Sequence, residues 1–292
     1  MNPHVADVLF VAAALDYLAA TALFVRYLVA KAPLERDGLL AARLVAVGAA
    51  FHAAHIVTAS LVWQVCPVAG IHFPISVATM LMAAAYAALR KRWRLDVLGA
   101  FVAPLALTAH LALRFTGTGP MDPTPRLRSA MLPVHVAMNV LGVALFSLAF
   151  AAAALFLVQE RLLKKKLTLG LFKRLPPLDA LDRAEHRFLL AGFPLLTLGI
   201  VTGTVFVRHA EVVTASDVAR TAFGYATWLL AAAVLFLRAS AGWRGRRAAY
   251  GTIAGFGFAL VVIAFYTFRA PSAPQVELQG LTAVARASGV VP

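Results

Sequence analysis

Residues 131–160 read MLPVHVAMNVLGVALFSLAFAAAALFLVQE, and no Asp, Glu, Lys or Arg occurs in them before Glu160. A helix built from the uncharged part would be about 42 Å long, against a bilayer core about 30 Å thick. The run is rich in Ala and Leu and lacks the period-two alternation of a membrane strand. It therefore reads as a transmembrane helix. Its one imidazole, His135, lies about one turn from the start.

Working outward, comparable runs occur at roughly 6–30, 39–62, 73–90, 95–114, 187–207, 221–239 and 248–268. With 131–158 they predict an all-α polytopic membrane bundle of eight transmembrane helices. The composition agrees: 61% of the chain is apolar and 14% charged, where a soluble domain carries about 25% charged residues. The first run, preceded by Met1, Asn2, Pro3 and His4 with no basic residue, reads as a retained helix and not as a cleaved signal.

The net charge of +14 would point to nucleic acid in a soluble protein, but here it encodes orientation. Of 27 Lys and Arg, 20 fall at or between the ends of helices one and two, three and four, five and six, and seven and eight. The positive-inside bias makes that face cytoplasmic and puts both termini outside, in a bacterial inner membrane. Attraction to anionic membrane lipid follows as a secondary effect, with no nucleic acid partner. The chain then divides into one transmembrane domain, 1–269, with a basic cytoplasmic loop at about 160–187 holding a short surface helix, and a flexible external tail, 270–292.

Ionisable groups inside spans are costly and by default functional. The one cysteine, Cys66, allows no internal disulfide, CxxC pair or Cys-rich metal site. Histidine is the informative residue. His4, His52, His55, His72, His110, His135 and His209 fall at mid-depth or in the outer half, and only His186 lies inside. His52 and His55, three residues apart, share a helix face. Imidazoles on several helices at similar depth suit haem iron or another metal, whereas for any one of them an interfacial hydrogen bond is the bland alternative. Asp16, the one acid buried in a span, is expected to bond Tyr17 or a neighbouring helix. GIVTG (199–203) is a small-xxx-small pattern for close helix approach, Thr197 and Thr204 can bond back to their helix, and Pro104 and Pro194 should kink theirs. No P-loop, GxSxG, HExxH or dinucleotide fingerprint is present.

Four strings carry a family resemblance. LPVHVAMNVLG (132–142) resembles the helix bearing an external haem-ligand histidine in the CcsA-type cytochrome c assembly proteins. LDALD (178–182), followed by GFPLLTLG (192–199) and Gly203, is similar to the next helix of that family and is the most specific match. GIHFPIS (70–76) resembles the short segment before another family helix, and WRGRRAAY (243–250) the loop before the last span, most closely in the HemX-like branch. The resemblance covers about residues 40–268. It implies a haem-binding membrane protein of cytochrome c biogenesis, holding haem b in the outer half of the bundle. It also implies His135 as an outer iron ligand, and a ResB/CcsB-type membrane protein and apocytochrome c as partners. Such a chain is an assembly factor and not a stand-alone catalyst.

The departures are specific. Where the family has an external tryptophan-rich segment, this chain reads HAEVVTASDVAR (209–220). A histidine expected near the inner end of helix seven appears as Phe236, and one expected at the end of helix eight is missing from FYTF (265–268). A second ligand would then come from His52, His55, His72 or His209. The alternative is a HemX-like membrane regulator of tetrapyrrole synthesis, acting on glutamyl-tRNA reductase through the basic loop and delivering no haem. A small-molecule transporter ranks last, since no repeat or matched pair of broken helices is present.

Overall fold

The computed structural model describes residues 3–30, 35–63, 72–93, 95–114, 131–165, 175–208 and 215–267. Over these the chain forms α1 (Pro3–Val29), α2 (Glu35–Trp63), α3 (His72–Trp93), a 3-10 turn (Asp96–Leu98) entering α4 (Gly99–Arg114), α5 (Met131–Lys164), α6 (Leu178–Arg208), α7 (Ala215–Ala241) and α8 (Arg246–Thr267). Among the described residues there is no strand. All but α3 and α4 are long and apolar enough to cross a membrane. The apolar part of α3 is cut short by Arg90, Lys91 and Arg92, and α4 has 16 residues. The protein is an all-α, polytopic membrane bundle.

The helices form two groups. In one, α1 packs on α2 and α4, and α3 packs on α2 and α4; in the other, α5 packs on α6 and α8, and α7 on α6 and α8. The groups meet chiefly where α3 lies against α5. Small side chains allow this: Ala144, Ala149, Ala151, Ala152 and Ala153 of α5 are all buried, so backbones approach closely. Phe150 stacks on Phe256 of α8 at 4.5 Å, with Phe146 edge-on to the same ring at 5.8 Å. Large apolar side chains point outward instead, as with Leu15, Leu18 and Leu198, each at least half exposed, as expected where the surroundings are lipid and not water.

Charges collect at the end of the bundle where α1, α3, α5 and α7 finish, here termed the basic end. There Arg26 pairs with Asp37, Arg90 with Asp96, Lys164 with Glu160 and Arg238 with Asp182. Gly242 and Gly245, both at φ above +60°, make the turn from α7 into α8.

Several boundaries differ from the sequence expectation, the start of α6 most of all. α6 begins at Leu178, not near 187, and α7 at Ala215, not near 221. The apolar runs end where charges begin, but the helical bonding continues through them. Asp179 pairs with Arg183 and Asp217 with Arg220 along their own helices, and Pro177 accepts bonds from Ala180 and Leu181 at the start of α6. The expected surface helix between the fifth and sixth spans is therefore, over its described part, the last turns of α5 and the first turns of α6. Residues 166–174, Cys66 and the tail expected at 270–292 lie outside the described residues.

Candidate functional site

The strings carrying His135 and Gly203 face each other at the end opposite the basic one, where α5 begins and α6 finishes. Gly199 and Gly203 line this seam. A Cβ on Gly199 would come within 2.4 Å of Asn139 Oδ1, and one on Gly203 within 3.0 Å of His135 Cε1. Small residues one turn apart thus admit Asn139 and the imidazole between the two backbones. This is what the small-xxx-small spacing supplies.

Thr202 Oγ1 lies 2.7 Å from both Leu198 O and His135 Nδ1, and Asn139 Nδ2 lies 3.3 and 3.4 Å from Nδ1 and Nε2. In the tautomer in which Thr202 donates to Leu198 O and accepts from Nδ1, a neutral imidazole has its lone pair on Nε2. Asn139 Nδ2 donates to the His135 carbonyl at 2.8 Å and steadies the same turn of α5. The ring is half-buried. A neutral imidazole oriented by a hydrogen bond on one nitrogen is the form that ligates a metal through the other.

A second imidazole group lies in the α1–α4 half. His110 Nε2 meets Phe10 O at 3.1 Å and must donate to it, because a carbonyl only accepts. In neutral rings that leaves His110 Nδ1 as acceptor for His52 Nε2 at 3.1 Å, and His52 Nδ1 as acceptor for Tyr17 Oη at 3.4 Å. Ser76 Oγ shares His52 Nε2 at 2.7 Å. Every ring nitrogen of His52 and His110 is thereby engaged. His52 and Tyr17 are fully buried, and His110 stacks on Phe10 with centroids 4.2 Å apart. His55, on the same face of α2, turns its Nδ1 to Ala6 O at 2.8 Å and does not bond His52.

His110 and Tyr17 were not singled out as site residues by sequence, and only the packing of α1, α2 and α4 brings them to His52. Of the partners expected for Asp16, Tyr17 or a neighbouring helix, Tyr17 is turned elsewhere. Tyr17 faces His52, and Asp16 Oδ2 is buried without a hydrogen-bond partner. Thr197 and Thr204 do bond back to Phe193 and Ile200, as expected, and also reach α7 through Trp228 Nε1 and Tyr225 Oη. His209 lies outside the described residues, as does the side chain of His72 at the start of α3. Among the described residues no group of three or more His, Cys, Asp or Glu is arranged to hold a bare metal ion.

At the basic end, Asp182 of α6 accepts two bonds from Arg238 of α7, at 2.6 and 3.0 Å, and one from Gly245 N at 2.7 Å. One turn on, buried Glu185 accepts from Thr252 of α8 at 2.6 Å. Asp182 of the LDALD string, with Glu185 beside it, therefore fastens α6 to α7 and α8, about 30 Å along the helix from Thr202.

The comparisons with known proteins agree with the motifs. A family model described as cytochrome C assembly protein matches residues 67–272. A cytochrome c biogenesis protein CcsA of Guillardia theta is 30% identical over 207 residues, 64% of this chain and 67% of that protein. One of Heterosigma akashiwo (strain NIES-293 / 8280G21-1) is 27% identical over 68% of this chain and 72% of its own. Against the CcsA of Prochlorococcus marinus (strain MIT 9312), identity is 32%, over 49% of this chain and 51% of that one, so there the match spans about half the relative's length. The strings that build the His135 seam and the Asp182 junction both fall within the matched region, and the chain belongs to the cytochrome c assembly protein family.

Proposed function

We propose that this membrane protein of cytochrome c biogenesis holds haem b at the end of the bundle where α5 begins, with His135 Nε2 as an iron ligand. The observation that supports the reading is the Thr202–His135 contact at 2.7 Å, which, with Thr202 as acceptor, puts the lone pair on Nε2. The donor set suits a prosthetic group that supplies most of its own metal ligands: one oriented imidazole would complete it, and no multi-residue metal cage would be needed. When bound, haem would supply the group destined for attachment. The chain's part is to fix the ring of His135 and exclude water from the α5–α6 seam.

A second iron ligand would come from His209, next in sequence after the last residue of α6. His72 is the next choice. His52 and His55 would have to give up bonds within the α1–α4 half to serve. On the positive-inside bias this end faces outward, where apocytochrome c and a ResB/CcsB-type partner would meet it. The domain is taken as 1–269, with 270–292 as an external tail.

A strain lacking the gene should lose its c-type cytochromes on haem-stained gels. The wild-type chain should restore them, and His135→Ala, present in the membrane at equal level, should not. Normal c-type cytochromes without the gene would overturn the reading. Altered glutamyl-tRNA reductase abundance in that strain would favour a HemX-like regulatory role acting through the arginine-lined basic end.

A further inference from the structure

The basic end carries more positive charge than its ion pairs use. Two adjoining clefts of about 410 and 210 Å³ open there, both bordered by Arg183 and Arg187. The larger is completed by Asp179, Asp182, His186, Arg238 and Arg244, the smaller by Arg92 and Trp93. The two carboxylates are spoken for: Asp182 by Arg238 and Gly245 N, Asp179 by Arg183. Among the described residues Arg92, Arg187 and Arg244 have no carboxylate within ion-pair distance. His186 Nδ1 is buried with no hydrogen-bond partner.

Unspent guanidinium groups around a cleft, with one imidazole nitrogen unsatisfied beside them, describe an anion site. Arg187 Cζ sits over the Trp93 ring, 5.4 Å from its centroid, which holds the guanidinium at the cleft. Several forks converging on one hollow match the tetrahedral oxygens of phosphate better than a single carboxylate. The surroundings identify the source. Leu190, one turn beyond Arg187 and on the same face of α6, is 55% exposed. A ligand with its phosphate among the arginines and an acyl chain along Leu190 would satisfy both surfaces.

We propose that the cleft between the basic ends of α3, α6 and α7 is a specific site for the phosphate of an anionic membrane lipid. The site requires only that this end lie at a headgroup layer. It does not depend on haem being bound at the other end.

The test is native mass spectrometry of the full chain in detergent, titrated with dihexanoyl phosphatidylglycerol, dihexanoyl phosphatidylcholine or inorganic pyrophosphate. Phosphatidylglycerol should bind with one-to-one stoichiometry, at least about tenfold more tightly than phosphatidylcholine. The double variant Arg187→Gln/Arg244→Gln removes two exposed side chains that hold no ion pair, and should weaken that binding about a hundredfold. Arg161→Gln/Lys165→Gln, at the same end but outside the cleft, should leave it unchanged. Equal binding of the two lipids, or equal loss in both double variants, would overturn the site. Tight pyrophosphate binding that displaces the lipid and is lost in Arg187→Gln/Arg244→Gln would overturn the lipid assignment in favour of a soluble phosphate compound.

Discussion

Thr202 is the closest polar contact of the His135 ring: with its proton given to Leu198 O or Gly199 O, its oxygen accepts from Nδ1. Thr202→Val removes that acceptor at nearly constant volume and should weaken haem binding about 10- to 100-fold in titrations of the purified full chain. Thr202→Ser keeps the oxygen and should restore most of the affinity. If Thr202→Val binds haem as the wild type does, the ring is oriented by something else. His135 was legible in the sequence because the string around it, LPVHVAMNVLG, resembles the ligand-bearing helix of the family. Its partner was not, because a threonine bonding back to its own helix looks the same whether or not a neighbour uses its oxygen. His52 and His55 show the other limit. Their spacing correctly places them on one face, but they bond different partners: His110, 58 residues from His52, shares a hydrogen bond with it and meets His55 only ring-edge to ring at 6.0 Å.

At the scale of elements, the α6 junctions at both ends were visible as strings and not as contacts. GIVTG announced a close helix approach, and the structure adds that it is His135 and Asn139 that fill the space. LDALD was a family string with no evident task. It proves to be where α6 holds α7 and the α7–α8 turn, through a pair whose side chains are 8% and 9% exposed. Removing one partner strands a buried charge, and Asp182→Asn should therefore cost about 3–5 kcal/mol, read as a lower thermal unfolding midpoint in detergent. Haem affinity should not change, because the junction lies at the far end of α6. An unaltered midpoint would mean that water already screens the pair. The start of α6 was misplaced by sequence for a physical reason: apolar run length measures the bilayer, whereas helix length follows backbone bonding, which continues through Asp179, Asp182 and Arg183.

For the whole molecule, the eight-helix count and the crowding of charge at one end were both readable from apolar run lengths and the positions of Lys and Arg. The division into two four-helix groups around α5 was not, because Ala-rich faces carry no label for their partners. The charge asymmetry makes a direct prediction about orientation. With Cys66 replaced by Ala, a cysteine at Asp7 should react with a membrane-impermeant maleimide on intact cells, and one at Arg244 only after the cells are opened. The reverse pattern would invert the assignment of sides. The central claim is tested most directly by the absorption spectrum of the full-length protein purified from haem-replete membranes. A Soret band should be present in the wild type, retained in His52→Ala and His110→Ala, and lost or strongly shifted in His135→Ala. A Soret band unchanged in position and intensity in His135→Ala would contradict the assignment of His135 as the iron ligand.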